Sequence, residues 1–489
     1  MPLSFRTVRA PRVAPWFTVI VILAASFWLG KQGSTTLLVI AVGAIFGIAL
    51  LARPILGLPA ILLSALVIPL SIPTGTDVKL YPVVFVTAAV IVTWVGRRIR
   101  GQNISITRSP ANLPLSLFLL LGLLSLVIGN ATWSPAVLRR DSFLLVQLAQ
   151  WSIFALSAGA FWLTANLVRS SSELERLTWL FLCLAGCVAL LFLLPSALPW
   201  IWTYTTGAFS RTPLWVLLAA LAGGQLFFNR NLSRKRQIFL VAVSLSILHN
   251  AFVQQREGVS NWIGVSAVYG TLIWLRWAKL RLPIVVLIIT LTVIGFLLPT
   301  LYDFAGGDIE WEQSGAARLA LMQRVIEVTM RNPFTGLGPA AYRPYANIEP
   351  FLYGRALWIA PQINSHNNYI DLFSHVGILG LAMFGWFVVA LWRQGVHARQ
   401  RCIEGFASGY INGMLAAGAS SLVIMLLLDW MLPFVYNVGI YGFQASVLVW
   451  LFLGGIVVLD QLADVARTGE QAVVGVFASN AVGVDDARP

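Results

Sequence analysis

Residues 365–380 read Ser-His-Asn-Asn-Tyr-Ile-Asp-Leu-Phe-Ser-His-Val-Gly-Ile-Leu-Gly. At this point the one long polar loop of an otherwise hydrophobic chain passes into a hydrophobic run. His366 and His375, two of the four histidines, lie within the stretch, and the asparagines next to His366 are suitable helix N-caps. The pattern predicts a membrane helix that begins here, with a histidine at its N-terminus.

The composition of the whole chain excludes an ordinary soluble protein. Of its 489 residues, 58% are hydrophobic and 11% are charged, whereas soluble domains carry roughly 25% charged residues. Apolar stretches of about 17 to 25 residues recur, and each is long enough to cross a bilayer core as a helix. We therefore predict an all-α polytopic membrane protein with about fourteen transmembrane helices. Their expected bounds are 14–30, 35–52, 55–72, 80–96, 113–129, 142–167, 177–199, 213–229, 237–253, 260–277, 282–300, 368–391, 406–428 and 438–459.

The formal charge of +14 is explained by membrane topology rather than by binding to nucleic acid. Loops on the cytoplasmic side of a membrane protein are enriched in lysine and arginine. With a cytoplasmic N-terminus, 22 of the 33 basic residues fall on the cytoplasmic side, and the dense clusters all do. Those clusters lie at 97–100, 230–236, 276–281 and 393–401. The lipid bilayer is thus the expected partner, and no nucleic acid is expected.

This topology divides the chain into four parts. Residues 1–300 hold the first eleven helices, and residues 368–459 hold the last three. Between them, residues 301–367 form a large loop on the exterior or periplasmic side, and residues 460–489 form a cytoplasmic tail that turns polar. The loop is expected to contain an amphipathic helix at 314–330, because apolar residues recur there at helical spacing. These apolar positions are Leu319, Met322, Val325, Ile326 and Thr329.

His366 is the strongest candidate for acid–base chemistry. A helix N-terminus disfavours a protonated imidazole, so the pKa of His366 is expected to be lowered. A neutral imidazole is the form that acts as a general base near neutral pH. The alternative is a histidine that only caps the helix or lies at the membrane interface. His375, deeper in the same helix, fits a structural role better.

Two arginines on the predicted outer side are candidate anion ligands. Arg256 lies in a short break between two predicted helices, and Arg318 lies early in the loop helix. Each also has an ordinary interpretation: Arg256 could extend to the membrane interface, and Arg318 could belong to a solvated charged face. A metal site is not expected, since the loop has no cluster of histidines and its one acidic triplet, 308–310, lies in a glycine-rich turn. No cofactor is expected either.

Several of these segments together resemble the O-antigen ligase/polymerase family. The resemblance covers roughly residues 250–385 and depends on order and spacing, since no single piece is specific. Arg256 resembles an arginine of that family in a short outer loop. The other matching segments are Ala317-Arg318-Leu319, Arg331-Asn332-Pro333-Phe334-Thr335-Gly336-Leu337-Gly338, His366-Asn367-Asn368-Tyr369 and Gly377-Ile378-Leu379-Gly380.

The resemblance implies a metal-independent glycosyltransferase of the GT-C type in the bacterial inner membrane, with its active site on the periplasmic side. The implied donor is a glycan on undecaprenyl pyrophosphate, and the implied acceptor is a glycan or a lipid A core. Arg256 and Arg318 would bind the pyrophosphate, and His366 would take the proton of the acceptor hydroxyl. Asn367, Tyr369 and Asp371 are expected to support the site. Members of the family often carry glutamate where His375 stands, so Asp371 is a candidate to orient the catalytic imidazole.

The acceptor separates the functions that remain open. A polymerase of O-antigen or exopolysaccharide extends a glycan, a ligase transfers it to lipid A core, and a protein O-oligosaccharyltransferase of the same family uses a protein hydroxyl. Fourteen helices favour the polymerase slightly over the ligase. A transporter or flippase is the rival from a different class. It would be expected to show matched halves with broken helices, and the sequence shows no convincing internal repeat.

Overall fold

The computed structural model describes residues 47–73, 79–101, 106–256, 258–310, 315–346 and 365–482. The chain divides into two compact units, residues 1–56 and residues 57–489. The predicted span 14–30, most of the span 35–52 and the end of the predicted tail lie outside the described residues. In the first unit, a short 3₁₀ helix is described at Pro54–Leu56.

The second unit is built almost entirely of helices. A two-residue antiparallel pairing joins β1 (Ile72–Pro73) to β2 (Lys79–Leu80), with Ile72 opposite Leu80. A π-helical turn at Asn250–Gln254 extends α8. The helices in chain order are α1 (Gly57–Leu66), α2 (Pro82–Arg100), α3 (Asn112–Ala131), α4 (Phe143–Leu167), α5 (Ser171–Leu191), α6 (Leu198–Tyr204), α7 (Thr212–Phe228), α8 (Arg234–His249), α9 (Val259–Arg276), α10 (Arg281–Val293), α11 (Leu297–Phe304), α12 (Gly307–Glu310), α13 (Ala316–Thr329), α14 (Tyr342–Ala346), α15 (Asn368–Arg401), α16 (Gly405–Ile424) and α17 (Gly439–Val482).

Seven helices in the described residues are long and apolar enough to cross a membrane: α2, α3, α4, α5, α8 with its π-helical turn, α15 and α17. Each lies on a predicted span, which supports an all-α polytopic membrane protein. The exact number of fourteen spans stays a prediction. The last helix continues past the predicted span, so residues 460–482 extend α17.

Some predicted spans have a different form in the structure. The span 282–300 is two helices, α10 and α11, which meet at an angle of 83°. Gly295 lies in the break with a φ of 70°, a conformation that glycine adopts without steric cost. The span 55–72 contains a helix of only 10 residues, α1. α9 and α16 are helical as expected but carry many small and polar residues, because both pack inside the bundle.

The loop helix is present, with a different buried face from the one predicted. α13 covers 14 residues of the expected 314–330. Its buried side chains include Leu321, Val325 and Val328, whereas Leu319 and Ile326 are exposed. The predicted face is therefore wrong at these two positions. The helix packs through Val325 and Val328 on a cluster that includes Tyr342 and Tyr345 of α14.

Small residues let the buried helices approach closely, as is common between membrane helices. A Cβ atom added to Gly224 of α7 would lie 2.4 Å from the carbonyl oxygen of Gly409 in α16. A Cβ atom on Gly454 of α17 would lie 2.3 Å from the carbonyl oxygen of Phe161 in α4. These backbone contacts bring α7 against α16 and α4 against α17, so the core of the bundle is densely packed.

Glycines in the loop turn and in α15 allow the backbones of these two segments to approach closely. The turn at 333–338 lies against a break in α15 at Gly377, whose φ is 66°. The Leu337 N–H donates to the Ser374 carbonyl at 2.8 Å, and the Ile378 N–H donates to the Pro333 carbonyl at 2.9 Å. A Cβ atom on Gly377 would lie 2.2 Å from the Phe334 carbonyl oxygen. Backbone hydrogen bonds thus join the loop turn to α15.

The basic clusters gather at the bundle end opposite His366. α15 begins beside His366, and after its break at Gly377 it continues for about 20 residues, roughly 30 Å of helix, to Arg399. The Arg399 guanidinium donates to the Leu275 carbonyl near the end of α9 at 2.8 Å. At the end of α2, Arg98 donates to Asn166 at the end of α4 at 3.1 Å. Which end of the bundle faces the cytoplasm stays a prediction.

Candidate active site

The sequence predicted His366 in the first turn of α15, but His366 lies immediately before this helix. Asn367 is the N-cap, and its side-chain oxygen accepts from the N–H groups of Tyr369 at 3.0 Å and Ile370 at 3.3 Å. The φ of His366 is 53°, a left-handed conformation that is uncommon for residues other than glycine. Strained residues of this kind are frequent at functional sites. The turn directs His366 away from the helix that it precedes.

The imidazole of His366 is neutral over most of the pH range. Burial lowers its pKa, and the positive charge of Arg318 lowers it further, to about 4. The direction is the expected one, but burial and Arg318 are the causes rather than the helix terminus. Arg318 lies near the start of α13, so the loop helix and α15 bring an arginine and a neutral histidine to one place.

Asn437 holds the imidazole from the opposite side. Its side-chain Nδ2 lies 3.3 Å from His366 Nδ1 and 2.8 Å from an oxygen of Asp429. Because an ionised carboxylate only accepts hydrogen bonds, this amide nitrogen must face Asp429 and donate to both neighbours. The lone pair of His366 is then on Nδ1, and the ring N–H is on Nε2. Nδ1 is therefore the nitrogen that can take a proton.

Asp429 in turn is fully buried. Its second oxygen accepts from the backbone N–H of Phe434 at 2.8 Å. Sequence reasoning missed both Asp429 and Asn437, which lie 63 and 71 residues after His366 in the chain. One signal was available: Asp429 is the only charged residue in the predicted outer loop 429–437.

The asparagines and the tyrosine that follow His366 hold its surroundings in place. Asn368 binds the loop that carries Asn437, since its Nδ2 donates to the Leu432 carbonyl at 3.0 Å and its Oδ1 accepts from the Met431 N–H at 3.0 Å. Tyr369 donates its hydroxyl to the Leu422 carbonyl near the end of α16 at 2.8 Å. These contacts position the backbone around His366.

Asp371 supports the residue before His366. Its Oδ1 accepts from the Ser365 hydroxyl at 2.8 Å and from the Ser365 N–H at 3.2 Å. The Ser365 hydroxyl oxygen also accepts from the Asn367 N–H at 3.1 Å. Asp371 therefore stabilises the turn before α15, and its role in orienting the imidazole of His366 stays a prediction.

Arg256 lies in the break before α9, as predicted, and is exposed. Its Nε donates to the Phe304 carbonyl at 3.3 Å, and its guanidinium lies 4.6 Å from the centre of the Phe304 ring. The Phe304 ring also contacts Trp262 of α9 at a centroid distance of 5.2 Å. The positive charge of Arg318 thus lowers the pKa of His366. The contacts of Arg256 are instead with Phe304, at the end of α11.

His375 is a structural residue by its contacts. Its Nδ1 accepts from the Ala340 N–H at 3.2 Å, and its carbonyl accepts from the Ser125 hydroxyl of α3 at 2.6 Å. The ring packs on Phe434, with centroids 5.1 Å apart. His375 therefore connects α15 to the loop turn and to the loop that carries Asp429.

Within the described parts of the chain, no group of three or more histidine, cysteine, aspartate or glutamate side chains could hold a metal ion. The residues that converge on His366 are instead an arginine, an amide and a buried carboxylate. A fixed cation beside a neutral base suits a reaction in which a hydroxyl loses a proton and an anion departs.

Comparison with known proteins agrees with the segments singled out above. The sequence model of the O-antigen ligase family matches residues 256–385. This region contains Arg256, Arg318 and His366, and it ends before the loop that carries Asp429 and Asn437. No curated protein matches the chain. The family indicates an enzyme of glycan transfer that works in a membrane on lipid-linked glycans. Residues 256–385 are therefore similar to the O-antigen ligase family.

Proposed function

We propose that this protein is a metal-independent GT-C-type glycosyltransferase that moves a glycan from undecaprenyl pyrophosphate to an acceptor hydroxyl. The observation that carries the proposal is the pairing of His366 with Arg318. Burial and Arg318 keep the pKa of His366 at about 4, so the base is neutral and ready at physiological pH. Both residues lie within the region that matches the family.

In the proposed reaction, an acceptor oxygen attacks the anomeric carbon of the donor sugar. As the new carbon–oxygen bond forms, the bond from that carbon to the pyrophosphate breaks, and its electron pair leaves with the pyrophosphate. The acceptor proton goes to Nδ1 of His366. The contact of Nδ1 with Asn437 is long, at 3.3 Å, so a substrate hydroxyl can replace it.

Arg318 and Arg256 are the proposed ligands of the pyrophosphate. Negative charge grows on the pyrophosphate as it leaves, and a guanidinium can answer it with two parallel hydrogen bonds. By analogy with an oxyanion hole, one such group contributes about 2.7–4 kcal/mol to transition-state stabilisation. Arg256 would have to exchange the Phe304 carbonyl, which it now contacts, for a phosphate oxygen. We therefore give Arg318 the more direct role in this proposal.

We place the enzyme in the bacterial inner membrane with His366 on the periplasmic side. The support is the separation of charge along the bundle, because basic clusters mark the cytoplasmic side. Among acceptors we prefer a growing glycan, as in an O-antigen or exopolysaccharide polymerase, over lipid A core. This preference depends on the predicted fourteen helices.

The test is a transfer assay with the purified full-length protein and a lipid-linked repeat unit, with and without lipid A core. Longer glycans without core would identify a polymerase, and glycan on the core would identify a ligase. Transfer to a protein hydroxyl would identify an O-oligosaccharyltransferase. Passage of the lipid across the membrane without transfer would contradict the proposal and favour a flippase.

The same assay tests metal independence. Transfer is expected to continue in EDTA, because the proposed charge stabilisation comes from arginines. A loss in EDTA that Mn²⁺ or Mg²⁺ restores would contradict this part of the proposal.

A further inference from the structure

Arg211 is a cation in unusual surroundings. It directly precedes α7, and the described residues supply no hydrogen-bond partner for its buried Nε atom. Its guanidinium lies 4.8 Å from the centre of the Tyr441 ring and 5.4 Å from the centre of the Trp430 ring. Burial lowers its pKa, and Tyr441 and Asp429 offset only part of this effect.

Such an arrangement is costly in the absence of an anion. A buried charge must be paired or hydrogen-bonded to recover its lost hydration. Aromatic faces attract a cation but contribute only about 0.5–2 kcal/mol, and the buried Nε–H of Arg211 has no acceptor among the described residues. Asp429 is close enough to affect Arg211, yet its oxygens accept from Asn437 and from the Phe434 N–H. The site thus has more donor capacity than the described residues use.

Two paths of contacts join Arg211 to the candidate active site. On one path, the charge of Asp429 acts on Arg211, and Asp429 binds Asn437, which contacts His366. On the other path, the neighbouring Thr212 hydroxyl lies 3.1 Å from the Ser260 hydroxyl, at the start of α9 just after the Arg256 break. Arg211 therefore lies between the two regions that hold the sequence-predicted ligands.

The helices that meet at this place all begin there. Tyr81 precedes α2 and its ring lies 5.6 Å from that of Tyr441, in the first turn of α17. Thr212 opens α7, Ser260 lies in the first turn of α9, and Asn367 caps α15. Each helix N-terminus carries a partial positive charge that favours an anion. The termini of α2, α7, α9 and α17 therefore add to the charge of Arg211 instead of cancelling it.

We propose that Arg211 is a third cationic ligand of the donor and binds a phosphate oxygen of the lipid-linked pyrophosphate. The inference rests on the proposed function, since it concerns the donor of that reaction. Arg211 lies outside the region that matches the family, which begins at Arg256. It is the cation on the Asp429 side of His366, whereas Arg318 reaches the histidine from the loop.

The experiment measures binding of undecaprenyl pyrophosphate, without a glycan, to the full-length protein in nanodiscs. Arg211→Met should weaken binding by about 10-fold or more, the effect of losing a hydrogen bond from a charged group. Arg211→Lys keeps a cation between the rings but loses the planar fork of donors, so binding should fall by several-fold. The Lys variant also serves as the test if the Met variant fails to fold.

Arg236→Met is the matched control. Arg236 lies 4.4 Å from the centre of the Trp179 ring, so this variant also removes an arginine from an aromatic face. It lies in the basic cluster at the opposite end of the bundle, and it should bind the lipid with the wild-type affinity.

Two outcomes would overturn the inference. In the first, Arg211→Met binds undecaprenyl pyrophosphate like the wild type but melts earlier, so that Arg211 only clamps α17. In the second, Arg211→Met binds undecaprenyl pyrophosphate like the wild type but binds a donor with an acidic sugar more weakly. Arg211 would then bind a carboxylate of the sugar and not the pyrophosphate. A wild-type protein that neither binds the lipid nor transfers a glycan would instead contradict the proposed function.

Discussion

The two ends of the helical bundle hold their cations in different ways. At the basic end, carboxylates meet the arginines: Arg236 lies 3.2 Å from Glu175, and Arg401 contacts Asp460 at 3.6 Å and also Asp464. At the His366 end, Arg324 is paired with Glu327 at 3.5 Å, but other arginines lie on aromatic rings or contact a backbone carbonyl. There Arg343 lies 4.3 Å from the centre of the Tyr436 ring, and Arg256 contacts Phe304.

The difference separates structural cations from cations that remain able to bind a ligand. When an arginine is paired with a carboxylate, much of its positive charge is neutralised and some of its N–H donors are occupied. An arginine on an aromatic face keeps its edge N–H groups available while its position is fixed. Arg256 and Arg343 at the His366 end are of the second kind, whereas Arg236 at the basic end lies on the Trp179 ring and is also paired with Glu175. The comparison predicts that substitutions at the two ends will affect different properties.

The largest effect is expected for His366→Ala. Loss of a general base typically lowers a rate by about 10²–10⁴-fold, and transfer of glycan in the purified system should fall by this amount. The melting temperature should change little, because the turn is held by Asn367 and Ser365. His397→Ala at the basic end is the control and should transfer normally; an active His366→Ala protein would remove the proposed base.

Arg318→Lys should be impaired nearly as much as Arg318→Ala, by about 100-fold in kcat. Lysine keeps the charge but lacks the planar fork that binds two phosphate oxygens. The measurement is the rate of transfer at saturating donor. Arg324→Lys, on the same helix but paired with Glu327 at 3.5 Å, is the matched control. Full activity of Arg318→Lys would mean that charge alone matters.

The pH dependence should show the coupling of His366 to Arg318. Since the pKa of His366 is about 4 in the free protein, kcat/KM should stay constant down to pH 5 and fall as the pH drops through about 4. In Arg318→Met the fall should begin at higher pH, because a positive neighbour that disfavours protonation is gone. Bound pyrophosphate adds negative charge, so the fall in kcat should also lie at higher pH. A fall of kcat/KM near pH 6.5 in the wild type would show an unperturbed histidine.

The smallest effect on catalysis is expected at the basic end. Arg401→Met removes contacts with Asp460 and Asp464, and such partly exposed pairs contribute about 0.5–1 kcal/mol. The melting temperature should fall by only about 1 °C in a chain of this length, and the rate of transfer should be unchanged. A large loss of transfer without unfolding would show that the two ends are coupled.

The membrane helices were readable from the sequence because each needs a long apolar run, and such runs are plain in the chain. The break between α10 and α11 was not readable, since the left-handed Gly295 interrupts no apolar pattern. The face of α13 was partly misjudged for a similar reason. Both of its faces carry apolar residues, and only the packing in the folded protein decides that Leu321 is buried while Leu319 is exposed.

The sequence predicted the part of the site whose residue type and position in the chain are both informative. His366 stands at a polar-to-apolar boundary, and its lowered pKa follows from burial. Asn437 and Asp429 could not be assigned to it, because their contacts depend on how the loop after α16 folds back. Asn368 binds that loop across more than 60 residues of chain, and no local pattern encodes such a contact.

The contact of the loop turn with Gly377 limits how this protein could be recombined with its relatives. A Cβ atom at Gly336 would lie 2.6 Å from the Gly377 nitrogen, and one at Gly377 would lie 2.2 Å from the Phe334 carbonyl oxygen. A loop grafted from another enzyme must therefore bring its own first half of α15. The exchangeable module for a chimera with a new acceptor is residues 315–380, and not the loop alone.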